Sequence, residues 1–362
     1  MENTMVTVNR CTQNPLILPS DVKPTRADLR VDGIFNCGVC KYKDEIILAC
    51  RVAESVYSDD ENIVKVPIVK RKDGKDSIDV RTIKKTEHPN WNFSDSRTIS
   101  ERGADGGKKI VSLTSLSHIR LARSKDGIHF TLEEKPCIFP SAEQEGWGME
   151  DPRITQIGDT YYINYSAVNE QGPSTALVST KDFESYTRHG IIFVSENKDV
   201  AIFSERIGSM YYALNRPFCS TFGAADIWLA ESPDLVHWGN QKHLCGAQND
   251  WENGRVGGGC PPLLTEKGWL VIYHAADQNN RYCLGAILLD KMNPSHILAR
   301  SAEPIMQPEA DYEKNGFFGE VIFTCGSLLS ENNVIMYYGA ADDKICRADI
   351  PLSEIYRALG VL

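Results

Sequence analysis

Asp159-Thr160-Tyr161-Tyr162-Ile163-Asn164-Tyr165 reads as a polar turn running into an aromatic, β-branched strand. The pattern recurs along the chain. Asp44-Glu45-Ile46-Ile47-Leu48-Ala49-Cys50-Arg51 precedes it, and Gly208-Ser209-Met210-Tyr211-Tyr212-Ala213-Leu214, Gly268-Trp269-Leu270-Val271-Ile272-Tyr273-His274 and Asn333-Val334-Ile335-Met336-Tyr337-Tyr338 follow. A second strand with small residues at its centre comes next, as in Ile119-Arg120-Leu121-Ala122-Arg123-Ser124 and Asp226-Ile227-Trp228-Leu229-Ala230-Glu231-Ser232. These two run into matching turns closed by an aromatic, Phe130 in one and Trp238 in the other. Every unit opens on a Gly- or Asp-marked segment, at Gly33, Gly148, Lys198, Val256 and Gly319. Five units, spaced from the second onward by about 50 to 65 residues, predict an all-β protein and a five-bladed β-propeller filling 1–362 as a single domain. A pair of β-sandwiches is the competing arrangement, and the constant order of opening, middle and closing strands favours the ring.

The first unit is longer because a polar stretch at about 56–117 intervenes, carrying Lys70-Arg71-Lys72-Asp73-Gly74-Lys75 and Arg102-Gly103-Ala104-Asp105-Gly106-Gly107. It reads as a loop or hairpin excursion. Helical signal is confined to the end of the chain, where Pro351-Leu352-Ser353-Glu354-Ile355 predicts a short helix.

The 362 residues carry 39 basic and 49 acidic side chains, a formal charge of −10. That balance argues against a nucleic-acid partner, which needs a basic face, but leaves room for a pocket holding one small anion. No run of apolar residues is long enough for a membrane span, and Met1 to Ser20 lacks the layout of a signal peptide. Eleven cysteines without framework spacing read as reduced thiols of a cytoplasmic protein, and Cys37-Gly-Val-Cys40 as packing rather than a metal site. The oligomeric state, a homo-oligomer included, is left open.

In a propeller the first strands line the central channel, so polar groups on the opening segments converge there. Candidates are Asn36 and Arg51 from the first unit, Glu150, Asp151 and Arg153 from the second, and Lys198, Asp199, Glu205, Asn215 and Arg216 from the third. The fourth offers Arg255, Gly257 to Gly259, Tyr273 and His274, and the fifth Glu320, Asp342 and Asp343. Arginines, a histidine and carboxylates on one axis suit a polyhydroxylated, partly anionic ligand. Taken singly, Asp151-Pro152-Arg153 is usually a turn with a surface ion pair, and a strand-ending histidine is more often core than ligand. Phe218, Phe222 and Trp251 are aromatic candidates to stack on a sugar ring, although such residues in β-proteins are commonly core.

Gly148-Met149-Glu150-Asp151-Pro152-Arg153-Ile154, Lys198-Asp199 with Glu205, Asn215-Arg216-Pro217, and Gly257-Gly258-Gly259-Cys260-Pro261-Pro262 with the strand ending at His274 resemble the signature segments of glycoside hydrolase family 130. That family comprises β-mannoside phosphorylases and β-1,2-mannosidases, and the resemblance runs from about Asn14 to Ile355 with the motifs in family order. It implies a five-bladed propeller and an inverting phosphorolysis of β-mannosides, most like the branch acting on β-1,2-mannobiose or β-1,2-oligomannan. By position it implies Asp151 as general acid and Arg255, His274 and Arg51 as phosphate ligands. Asn36, Glu150, Arg153, Lys198, Asn215, Arg216, Tyr273 and Asp342 would bind substrate. Inorganic phosphate would be the co-substrate, with no metal and no organic cofactor. The alternative within the family is an inverting hydrolase, which needs a carboxylate base. Glu320 and Glu252 are the candidates for it. A mannoside-binding propeller without activity is a third reading, and the intact Asp151 argues against it.

Overall fold

The computed structural model describes residues 6–103, 106–218 and 222–362. Ala104 and Asp105 of the excursion, Met1 to Met5 and Cys219 lie outside the described residues. The molecule is all-β, and its strands fall into antiparallel groups in the order the repeats predict. Unit one contains Arg30–Tyr42, Glu45–Ser55, Leu116–Ser124 and Thr131–Leu132, and unit two Gly148–Ile157, Thr160–Asn169, Gly172–Thr180 and Thr187–Phe193. Unit three contains Asn197–Ile202, Tyr211–Pro217, Ile227–Ser232 and Gly239–Cys245. Unit four contains Arg255–Gly258, Trp269–Ala276, Tyr282–Leu289 and Ile297–Arg300. Unit five contains Ile322–Ser330, Asn333–Ala340 and Lys344–Pro351, and takes its outer strand, Asn9–Arg10, from the other end of the chain. Units one and two touch as sheets only where Gly148 pairs with Ser117.

Because side chains alternate across a strand, each middle strand feeds two apolar layers. Ile47 and Ala49 pack with Met149, Ile163 and Tyr165 of unit two, whereas Leu48, Cys50 and Val52 pack with Tyr337 and Ile345 of unit five. Further layers join units two and three (Leu177, Ile202, Ala213), three and four (Phe203, Leu214, Val271), and four and five (Ile272, Leu284, Met336). Each fully buried aliphatic side chain in these layers contributes about 1.5–3 kcal/mol. Cys37 and Cys40 are unpaired and buried in different layers, and burial pushes the Cys37 thiol up to about 12.

The excursion is built of two small sheets: a hairpin of Ile63–Lys72 and Lys75–Lys84, and three strands, Trp91–Asn92, Thr98–Arg102 and Lys108–Leu113. The expected C-terminal helix is present as Leu352–Ala358, and a one-turn helix at Asp311–Lys314 was not foreseen.

A knot of three side chains recurs between strands. In unit two the buried Glu145 carboxylate accepts from Tyr165 on the second strand and Arg188 on the fourth, each at 2.9 Å. In unit four Glu252 accepts from Tyr273 at 2.9 Å and Arg300 at 2.7 Å, and in unit five Glu313 accepts from Tyr338 at 2.7 Å and Arg10 at 2.8 Å. Unit three has an uncharged counterpart, Asn197 donating to Asn215 and Asn215 to Gln241, both at 3.0 Å.

Candidate active site

The opening strands of units one, two and three each carry a β-bulge, and in each the first bulged residue takes a left-handed backbone: Asn36 (φ 49°), Asp151 (φ 52°) and Asp199 (φ 56°). Asn and Asp tolerate that conformation better than other side chains with a Cβ. The bulge also breaks strand alternation. Glu150 and Asp151, neighbours that a regular strand would send to opposite faces, therefore both face one cavity.

That cavity, of about 260 Å³, is lined by Asn36 and Arg51, Glu150 and Asp151, Lys198, Tyr282, Phe323 and Asp342. Asp151 Oδ1 accepts from Asn36 Nδ2 at 2.9 Å and Arg51 Nη1 at 3.0 Å. The other end of the Arg51 fork donates to Glu150 at 2.9 Å, and Lys198 Nζ donates to the second Glu150 oxygen at 2.7 Å. Burial alone would raise the Glu150 carboxyl, but Arg51 and Lys198 outweigh it and hold the group well below the usual carboxylate range. Asp342 accepts no hydrogen bond from any described residue. Burial pushes it up to about 6, against the pull of Arg51 and with the repulsion of Asp151.

A second cavity, of about 440 Å³, shares Arg97, Lys198 and Tyr282 with the first and adds Arg216, Arg255 and Asn280. Arg255 donates to Tyr282 Oη at 2.7 Å and to Asn280 Oδ1 at 2.5 Å, which fixes its fork at the cavity wall. Phe218 lines this cavity too. Arg97 comes from the excursion, resting 4.1 Å from the Phe318 ring centroid, and reaches both cavities. Its contribution had no local signal in the sequence, because only the return path of a long insertion decides where it ends.

Several expected site residues lie elsewhere. Arg153 is 1% exposed and donates to the carbonyls of Gly259 at 2.6 Å, Gly258 at 2.8 Å and Asp151 at 3.2 Å, and to Asp199 at 3.3 Å. It ties three units together behind the cavity wall. Asn215 is buried in the uncharged knot, and Tyr273 and Glu252 in the unit-four knot, all away from both cavities. Glu320 lines neither cavity and lies 3.3 Å from Arg281. Trp251 donates to the Ala302 carbonyl and packs beside Tyr273, and Phe222 is solvent-exposed. His274 lines neither cavity; it is 1% exposed, with Nε2 3.1 Å from Asp199 Oδ2.

Asp199 is the residue that sequence reasoning noticed without giving it a role. Its carboxylate lies 2.6 Å from Arg216 Nε as well as against Arg153 and His274. Burial opposes its charge, and Arg216 leads the neighbours that outweigh burial and hold it far below the ordinary range. The signal was its place in the repeat, the same bulge position as Asn36 and Asp151. The glycine run leaves room for buried groups packed against it. A Cβ on Gly257 would stand 2.3 Å from Asp199 Oδ2 and 2.6 Å from His274 Nε2, and one on Gly259 2.5 Å from the Ile272 carbonyl.

A carboxyl beside an Arg–Asn clamp, adjoining a wall of cations, fits acid-assisted transfer of a sugar to an anion. A family model described as glycoside hydrolase family 130, beta-1,4-mannooligosaccharide phosphorylase, matches residues 108–360. The chain is 48% identical over 355 residues to a beta-1,2-mannobiose phosphorylase from Listeria innocua, covering 98% of this chain and 99% of that protein. It is 39% identical to a 1,2-beta-oligomannan phosphorylase from Thermoanaerobacter sp., over 70% of this chain and 85% of that one. A solved structure of the Listeria innocua phosphorylase in complex with beta-1,2-mannobiose superposes with a TM-score of 0.94 at 47% identity, covering 98% of this chain and 100% of that one. The family match and the near-full-length similarity agree, and the chain belongs to glycoside hydrolase family 130.

Proposed function

We propose that the protein is an inverting β-mannoside phosphorylase, acting on β-1,2-linked mannobiose or oligomannan, built as one five-bladed propeller domain. Support for the ring comes from the five apolar layers, each shared by consecutive units, the last returning to unit one. Unpaired, buried thiols support a reducing, cytoplasmic setting. Among the described residues no helix is long and apolar enough to cross a membrane.

Phosphate, held between the cavities, attacks the anomeric carbon of the non-reducing mannosyl unit. The bond to the leaving sugar oxygen breaks, and Asp151 gives that oxygen its proton, directly or through a sugar hydroxyl. Inversion yields α-mannose 1-phosphate and a shortened acceptor. Phosphate is already a competent nucleophile, so the site must align it rather than deprotonate it. Arginine forks suit that task, because two parallel N–H groups match two phosphate oxygens.

The observation that carries this reading is the wall formed by Arg97, Lys198, Arg216 and Arg255 next to Asp151. Arg51 orients the acid. Glu150, Asn36 and Asp342 face the sugar, and His274 acts from behind the wall. Hydrolysis would need a carboxylate base facing the anomeric carbon. Of the two carboxylates expected for that role, Glu252 is sealed in its knot and Glu320 is turned to Arg281. Incubating the purified protein with β-1,2-mannobiose, with and without phosphate, tests the reading. Mannose 1-phosphate should form only with phosphate, and phosphate-independent release of mannose at a comparable rate would overturn it.

A further inference from the structure

We propose that the buried Asp199–His274 pair is a positioning unit that holds the Arg216 guanidinium in the cavity and so sets the affinity for phosphate. The proposal rests on the phosphorolysis reading and deepens it.

His274 cannot meet a ligand in either cavity. Its ring is buried 4.2 Å from the Phe323 ring centroid, and its one polar contact among the described residues is Asp199. Burial lowers the imidazole pKa despite the attraction of Asp199, and because a carboxylate oxygen only accepts, the ring nitrogen facing it, Nε2, is the donor. Asp199 Oδ2 thereby receives His274 from one side, while Arg216 Nε lies 2.6 Å away on the other. Arg153 holds the second oxygen from behind at 3.3 Å. The carboxylate has one orientation that serves all three, and Arg216 is the only one of them lining the cavity. Gly257 supplies the space, since a Cβ there would collide with both members of the pair.

Without the His274 donor, Asp199 is free to turn and Arg216 must be ordered each time phosphate binds. Immobilising one such side chain weakens binding by roughly three- to tenfold. Acting through a carboxylate, His274 needs only its Nε2–H donor, not a positive charge.

The test is steady-state phosphorolysis of β-1,2-mannobiose with each substrate varied in turn, for wild type, His274→Leu, His274→Gln and Gly257→Ala. His274→Leu and Gly257→Ala should raise KM for phosphate several-fold and leave KM for mannobiose within about twofold. His274→Gln, which keeps a donor near the Nε2 position, should recover most of the loss. Equal changes in both KM values, an unchanged phosphate KM, or a glutamine variant no better than leucine would each overturn the proposal. Gly257→Ala leaves His274 itself intact and decides the matter should the leucine variant not fold. A wild type indifferent to phosphate sinks the phosphorylase reading instead, so the two failures are distinguishable.

Discussion

Four carboxyls line one cavity. Asp32 is paired with Arg30, and the donors of the other three separate them. Glu150 has Arg51 and Lys198, Asp151 has Asn36 and Arg51, and Asp342 has none among the described residues, standing at about 6. As a carboxylate Asp342 accepts hydrogen bonds from sugar hydroxyls; protonated, it gives up part of that capacity to an O–H donor. Its charged form predominates above pH 6, so kcat/KM for the mannoside should fall as pH drops through about 6. Asp342→Asn should flatten that limb in a pH–rate profile, and a limb that survives assigns it to another group. Asp151→Asn should lower kcat by about 100- to 10,000-fold, the usual worth of a general acid, with an unchanged melting temperature. Much of this placement was legible, since Asp151, Arg51, Lys198 and Asp342 all stand in the cavity, although Arg51, expected to hold phosphate, is engaged by Glu150 and Asp151. Tyr273 and His274 cannot both face a ligand, because adjacent residues on an unbulged strand face opposite ways, and Tyr273 goes to the core. Glu150 and Asp151 escape that rule only through a bulge, which spacing alone does not reveal.

At the scale of elements, the Glu–Tyr–Arg knots fix the fourth strand of a unit to the segment entering it. Glu252 also accepts from the backbone N–H groups of Gln248 at 2.9 Å and Asn249 at 3.1 Å, so it organises the turn leading to Arg255. Arg300→Met leaves a buried carboxylate without its cation, a change that costs about 3–5 kcal/mol. Calorimetry should show a clear fall in melting temperature, while kcat of the folded enzyme stays near wild type because no member of the knot lines a cavity. A variant as stable as wild type would mean that the knot is incidental. The tyrosines were visible in the sequence as part of the repeated strand. The knot was not, because Glu252 and Arg300 are far apart in the chain and only the sheet register brings them together. The excursion was likewise legible as an insertion at 56–117, but not as the source of Arg97 in the cavity.

For the molecule as a whole, the N-terminal stretch supplies the outer strand of unit five, and this closure has a specific lock. Asn9 and Arg10 pair with Asp349 and Ala348, and Asn14 exchanges hydrogen bonds with the Arg347 backbone, both at 2.8 Å. Arg10 then reaches inward to the fully buried Glu313, at 2.8 and 3.1 Å, and to the Gln307 carbonyl at 2.9 Å. In the proposed ring every layer is shared by two units, so releasing one outer strand loosens unit five on both of its sides. Unfolding should therefore be a single cooperative transition, and Arg10→Met should lower its midpoint about as much as Arg300→Met does. Arg71→Met is the control: the Arg71–Asp76 pair is exposed, at 2.9 Å on the excursion, and exposed pairs contribute little. Calorimetry of the three variants checks both statements. Two resolved transitions in the wild type would refute the single-domain reading, and equal midpoints for Arg10→Met and Arg71→Met would show that the ring does not depend on its N-terminal lock.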